Sequence, residues 1–151
     1  SQDAGTEFGL HGRISNTPAA PVNYRTYWDG DDYKLEISAE TRQAALFNEK
    51  LVLRRCISTG LGSNRIRLED EITNEGFEPA PHMLLYHFNL GFPLVSENTR
   101  LHIKTEQTLA RDDVAQSGLD KWERFQPPTP GYQEQVFILR AVVDKAGLAT
   151  V

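Results

Sequence analysis

The sequence contains a single cysteine and no long hydrophobic run. Cys56, the one cysteine among 151 residues, excludes an internal disulfide and any zinc site built from cysteines. No segment approaches the ~18 consecutive apolar residues of a membrane-spanning helix. The first residues also lack the basic and apolar regions of a signal peptide. These absences predict a cytoplasmic protein that does not associate with membranes.

Clustered positive charge is missing as well. The chain carries 16 Lys and Arg against 21 Asp and Glu, for a net charge of -5. A mildly acidic chain without a basic cluster is predicted to bind neither nucleic acid nor anionic membranes. Walker, Rossmann and nucleophile-elbow motifs are not found, and the four histidines lack the spacing of a metal motif. We therefore expect no metal and no cofactor.

The pattern that is present is strand alternation, with turn signals at short intervals. The predicted strands cover 22–28, 33–39, 51–59, 65–73, 99–105 and 133–143. An Asp-Gly turn joins the first two, a polar loop is predicted over 106–118, and a short helical segment over 43–49. Seven or so strands with almost no helix predict an all-β, antiparallel β-sandwich, here a single partial domain over 1–151.

The strongest strand signal lies at 81–93, between two prolines. The stretch is rich in aromatic and branched residues, which predicts a buried central strand. In a regular strand Leu85, His87 and Asn89 would share one face, while mostly apolar residues would share the other. An imidazole and an amide in register would then face a cleft. The alternative is a core histidine whose ring nitrogens are satisfied by neighbouring backbone.

A second concentration of polar groups lies on the glycine-containing loop 9–19. His11, Arg13 and Asn16 stand there among few apolar residues, which predicts a loop with close backbone approach. Such a loop indicates a binding site, and the alternative is a surface connection with incidental polar residues. Near the last strand, Glu134 offers a carboxylate that accepts hydrogen bonds from vicinal hydroxyls. Composition alone leaves open whether His11, His87 and Glu134 converge.

Three motifs in this order resemble the aldose 1-epimerase, or galactose mutarotase-like, superfamily. Leu10-His11-Gly12 is similar to the L-H-G motif that carries the first active-site histidine there. Residues 80–90 resemble T-P-V-N-L-T-N-H-S-Y-F-N-L, with His87 at the same distance from the proline but without the two residues between histidine and F-N-L. Residues 131–139 resemble G-Y-D-H-x-F-x-L with one insertion, so Glu134 takes the place of a sugar-binding aspartate.

The resemblance implies a supersandwich fold roughly twice as long as this chain, which would be its middle portion. It also implies cofactor-free interconversion of sugar anomers, with His87 donating a proton to the ring oxygen and His11 stabilising the developing charge. The residues expected to bind the sugar are Arg13, Asn16, Asn89 and Glu134. The family's general base is a glutamate near the C-terminal end, which no residue here matches.

Two other classes of function stay open. The same residues would also suit a module that binds a sugar or sugar acid without catalysis. A third possibility is a purely structural half-sandwich, whose exposed sheet edges favour association. The expected partners are a small-molecule carbohydrate and either a second copy of the chain or the missing parts of the same domain. Nucleic acid and membranes are not expected partners.

Overall fold

The chain divides into two compact units, Ser1–Leu84 and Leu85–Val151. The structure is a computed structural model that describes residues 2–3, 6–7, 11–46 and 48–150, and the side chains from residue 11 onward. In both units the strands that pair do so in antiparallel fashion, and regular helices are short. Among the described residues no helix is long and apolar enough to cross a membrane. The predicted all-β antiparallel architecture is confirmed.

A four-stranded antiparallel meander forms most of the first unit. It follows a two-stranded pair and joins its strands in sequence order. The strands of the unit are β1 (Gln2–Asp3), β2 (Thr6–Glu7), β3 (Val22–Asp29), β4 (Asp32–Ala44), β5 (Lys50–Gly60) and β6 (Arg67–Asn74). The predicted Asp-Gly turn is confirmed, since Asp29 pairs with Asp32 and Gly30 has a φ of 63°, which glycine adopts without strain. The four predicted strands between 22 and 73 are confirmed as β3 to β6, except that β6 begins two residues later than predicted, at Arg67.

The two faces of the meander differ in chemistry. Side chains alternate along a strand and paired residues share a face, so each row of partners can be followed across the sheet. A polar row contains Arg25, Glu36, Ser58 and Arg67, and an apolar row on the other face contains Tyr24, Ile37, Ile57 and Leu68. On the polar face, hydrogen bonds of 2.7 and 3.0 Å from Arg25 hold the pKa of the Glu36 carboxyl below its ordinary value.

Few side chains are fully buried. In the described part of the chain the buried apolar residues are Val52 and Leu53 in the first unit and Ala115 in the second, none of them more than 9% exposed. By contrast, Tyr24 on the apolar face of the meander is 86% exposed and Ile37 is 44% exposed. Within its unit, the part of this face on β3 and β4 is therefore open to solvent at these positions.

The second unit contains one strand pair and short helical turns. Its elements are β7 (Thr105–Ala110), α1 (Asp113–Gln116), a 3-10 helix at Leu119–Lys121 and β8 (Phe137–Ala141). Asp112 caps α1 by accepting a 2.9 Å hydrogen bond from the backbone N–H of Ala115. That bond, together with a second from Arg111, lowers the pKa of the Asp112 carboxyl. These hydrogen bonds fix the N-terminal end of α1, which follows β7 directly in the chain.

The predicted central strand at 81–93 is wrong. Residues 81–90 form no regular strand, and most of their side chains are exposed, including Met83 at 96% and Phe88 at 73%. No described strand pairs with the segment, and aromatic or branched residues favour a strand only when a neighbouring strand offers a pleated surface to pack on. The shared face proposed for His87 and Asn89 therefore has no support, and His87 is exposed rather than a core histidine.

Other boundaries also differ from the prediction. The expected helix at 43–49 is wrong because β4 continues to Ala44, where pairing with β5 outweighs the local helical preference, and Phe47 lies outside the described residues. The expected loop at 106–118 contains most of β7 and all of α1. The expected strand at 99–105 reduces to an isolated pairing of Arg100 with Arg124 and to the first residue of β7, and the last strand is confined to β8.

Candidate functional site

The loop before β3 is ordered by local hydrogen bonds. Gly12 has a φ of 68°, and the chain then makes one 3-10 turn at Ile14–Asn16. The carbonyl oxygen of Arg13 accepts from the backbone N–H of Asn16 at 3.1 Å and from Oγ1 of Thr17 at 2.9 Å. The loop prediction is confirmed for its described part.

Three of the predicted site residues lie on this loop. His11 and Asn16 are exposed and Arg13 is half-buried. Gly9 and Leu10, which begin the loop and its L-H-G motif, lie outside the described residues. The structure therefore places His11, the polar residue of this motif, next to solvent, where it can contact a solute.

Gly12→Ala is expected to destabilise this loop by about 1 kcal/mol, because a Cβ disfavours positive φ even where space is free. No described atom outside the neighbouring residues lies within 4 Å of the place that this Cβ would take, so backbone strain is the whole effect. Gly12→Asn is the matched control, since asparagine tolerates this conformation better. Hydrogen exchange at the Asn16 amide measures the difference, and equal protection in the two variants would contradict the strain argument.

Arg13 is held by the hairpin between β4 and β5. Its Nη1 donates to Oε1 of Glu49 at 3.0 Å, and Nε2 of Gln43 donates to the same oxygen at 3.3 Å. The Glu49 side chain is only 14% exposed. Its carboxylate thus fixes the direction of the guanidinium. No local sequence pattern indicates this contact, because Glu49 follows Arg13 by 36 residues and reaches it through the hairpin.

A cavity of about 120 Å³ lies in the same unit, against the apolar face of the meander. It is lined by residues of the loop, of β4, β5 and β6, and of the segment after the sheet: Ile14, Thr17, Thr41, Gln43, Leu51, Leu53, Ile72, Pro81, His82, Met83 and Leu84. Ligand pockets usually measure ~300–1,000 Å³, so this volume alone is too small for a sugar. His82, to which the sequence assigned no role, contributes an imidazole here.

The other predicted site residues belong to the second unit. His87 and Asn89 lie on the exposed segment after residue 84, and Glu134 precedes β8. Oε2 of Glu134 accepts from Nη2 and Nη1 of Arg111 at 3.3 and 3.4 Å, while the Glu134 side chain stays 76% exposed. Arg111 also donates to Asp112 at 2.8 Å. Arg111, which the sequence did not single out, therefore positions a carboxylate that remains accessible to hydroxyl groups.

The structure thus brings Arg13 together with Glu49 in the first unit and Glu134 together with Arg111 in the second. The sugar-binding and catalytic roles of His11, His87 and the other predicted residues stay predictions. Where side chains are described, no group of three or more His, Cys, Asp or Glu is arranged to hold a metal ion.

Comparisons with known proteins support the resemblance. No curated protein matches the chain. A crystal structure described as "a putative aldose 1-epimerase from Klebsiella pneumoniae subsp. pneumoniae MGH 78578" is similar, with a TM-score of 0.88 and 29% identity over 95% of this chain and 37% of that one. The chain therefore spans just over a third of that protein's length, and the predicted mutarotase-like partial domain is confirmed. A family described as "Domain of unknown function (DUF4432)" matches residues 1–151, and the chain belongs to that family.

Proposed function

We propose that this protein binds an aldose and interconverts its anomers, as a mutarotase-like isomerase of carbohydrate metabolism. The observation that supports this best is the similarity to a structure described as a putative aldose 1-epimerase, at a TM-score of 0.88 and 29% identity. The reaction moves only protons, so it requires no cofactor.

In the proposed reaction His87 acts as the general acid. It donates a proton to the ring oxygen while a base removes the proton of the anomeric hydroxyl, and the bond between C1 and the ring oxygen breaks. The resulting C1 aldehyde rotates, the ring oxygen attacks its other face, and both protons return. His87 is exposed on its segment, as a group that meets a solute must be.

The remaining predicted residues would bind the sugar. We propose that His11 stabilises the charge that develops when the ring opens. Arg13, fixed by Glu49, would orient one hydroxyl, since a guanidinium held at 3.0 Å from its partner presents its other N–H groups in a defined direction. Glu134 would accept from vicinal hydroxyls. The amides of Asn16 and Asn89 would complete the polar contacts.

Exchange NMR tests the proposal. The intact protein is mixed with equilibrated aldoses, including glucose and galactose, and the exchange between the two anomeric protons is measured. We expect exchange cross-peaks above the uncatalysed rate for at least one sugar. Saturable binding without exchange would favour a non-catalytic sugar or sugar-acid module, an alternative supported by the His87 motif, which lacks two residues of the family's pattern between histidine and F-N-L.

We propose that the apolar face of the meander packs against a further sheet-forming segment of the same domain. The chain spans 37% of the similar structure, and one row of paired residues on this face is apolar across all four strands. Hydroxyl-radical labelling of the intact protein tests this. Tyr24, 86% exposed here, should label more slowly than Tyr132, 51% exposed. Faster labelling of Tyr24 would contradict the proposal, as would protection that appears only at high concentration, which would indicate a second copy.

A further inference from the structure

A groove of about 450 Å³ lies in the second unit, apart from the predicted sugar-binding residues. It is lined by Arg100, Leu101, His102, Ile103, Lys104, Trp122 and Glu123. Its volume is within the ~300–1,000 Å³ usual for small-ligand pockets. The sequence assigned no function to any of these residues.

Backbone hydrogen bonds fix both ends of one groove wall. The N–H of Leu101 donates to the carbonyl oxygen of Glu123 at 2.8 Å, next to the antiparallel pairing of Arg100 with Arg124. At the other end, the carbonyl oxygen of Lys104 accepts from the N–H of Val142 at 2.8 Å. The wall is therefore formed before a ligand arrives, which lowers the entropic cost of binding.

The polar side chains of this wall alternate with apolar ones. Arg100, His102 and Lys104 are exposed, whereas Leu101 and Ile103 between them are half-buried. In the described part of the chain, no carboxylate forms a salt bridge with Arg100 or Lys104. Arg111, by contrast, forms salt bridges with two carboxylates, those of Asp112 and Glu134. Two cations that no described carboxylate neutralises, one near each end of the same wall, are suited to bind an anion.

The neighbouring segment, which pairs with this wall, supplies different chemistry. Trp122 is half-buried and offers an indole ring, a broad apolar surface that suits the C–H face of a pyranose. Glu123 beside it offers a carboxylate that accepts from hydroxyl groups. An aromatic ring, a hydroxyl acceptor and two cations together favour a ligand that has an apolar ring face, hydroxyls and a negative charge.

We propose that this groove binds an anionic saccharide, a sugar that carries a carboxylate or a phosphate group. Arg100 and Lys104, at the two ends of the wall, attract the anionic group and one of them contacts it, Trp122 stacks on the ring, and Glu123 accepts from a hydroxyl. The site is additional to the proposed anomer-exchange site and does not depend on that activity.

Fluorescence titration of Trp122 in the intact protein tests the proposal. Trp28, the other tryptophan of this chain, is replaced by Trp28→Phe, and any tryptophan elsewhere in the intact protein by Phe. The probes are glucuronate, glucose 6-phosphate, neutral glucose and inorganic phosphate. We expect a saturable fluorescence response to glucuronate, to glucose 6-phosphate or to both. The probe that binds more tightly shows whether the groove prefers a carboxylate or a phosphate. Affinity should fall as NaCl rises.

The double variant Arg100→Ala/Lys104→Ala should weaken that binding by about fivefold, a typical combined effect of removing two exposed charge contacts. Arg140→Ala/Lys145→Ala is the matched control, because it removes the same charge from the same unit outside the groove, and it should bind as before. Equal affinity in the two double variants would overturn the proposal. So would binding of inorganic phosphate or neutral glucose as tight as that of the anionic sugars, or no saturable response at all.

The readout separates this proposal from the proposed activity. If the protein binds glucuronate through Trp122 but shows no anomer exchange, the result supports the groove proposal and contradicts the isomerase proposal. If the protein exchanges anomers but shows no Trp122 response, the result supports the isomerase proposal and contradicts the groove proposal. Circular dichroism of each variant confirms that these surface changes leave the fold intact.

Discussion

His87→Ala is expected to lower the rate of anomer exchange in the intact protein by about 10²- to 10⁴-fold, the range that a positioned general acid contributes. The physical reason is that the ring oxygen is a poor leaving group until it receives a proton, and alanine has none to give. Polarimetry of freshly dissolved aldose, at several protein concentrations, measures the loss. Sugar binding should weaken much less than the rate, because the imidazole acts mainly as the bond breaks.

Two variants make this result specific. His87→Asn keeps a polar side chain of similar reach but has no proton acidic enough for a general acid, so it should be as slow as His87→Ala. Leu85→Ala changes a neighbouring side chain that is 86% exposed and has no proposed role, so its rate should equal that of the wild type. An unaltered rate in His87→Ala would remove the residue from the mechanism.

Asp70→Ala is expected to cost about 2 kcal/mol of unfolding free energy. Asp70 lies on the apolar face of the meander with its side chain only 3% exposed, and its two carboxylate oxygens accept from Arg55 at 2.7 Å each. Removing one partner of a buried pair leaves the other charge poorly compensated, which typically costs ~3–5 kcal/mol. The lower figure of about 2 kcal/mol reflects the Arg55 side chain, which is 36% exposed and regains some hydration.

Urea denaturation of the intact protein measures this cost. In the double variant Arg55→Leu/Asp70→Leu both charges are replaced by apolar side chains, so we expect most of the stability to return. Glu69→Ala is the matched control, because it breaks the exposed pair with Arg67 on the polar face and should change the midpoint little. A loss in Asp70→Ala no larger than that in Glu69→Ala would contradict the buried-pair argument.

The sequence predicted the meander well because its strands obey a local rule. Along β3, β4 and most of β6 polar or charged residues alternate with apolar ones, and that alternation is visible in each of these strands alone. The stretch 81–93 has an even stronger composition but no described pairing partner. Whether such a segment becomes a strand depends on residues elsewhere in the protein, which no local pattern reports.

The same distinction between local and distant contacts applies to the candidate site. Motif spacing identified His11, Arg13 and His87 as candidates, because a motif is a local feature. It missed Glu49 and Arg111, whose relation to the site depends on a hairpin and on a strand pairing. The groove residues were missed for the same reason, since the pairing near Arg100 joins segments that are separate in the sequence.

Histidine-selective NMR of the intact protein tests the central claim most directly. The protein is labelled with isotopes in its histidine rings and titrated with a neutral aldose that shows anomer exchange. We expect saturable shifts of the His11 and His87 ring signals and little change at His102, which belongs to the anionic groove. Unmoved signals of His11 and His87 at sugar concentrations that saturate the exchange rate would contradict the proposed mechanism.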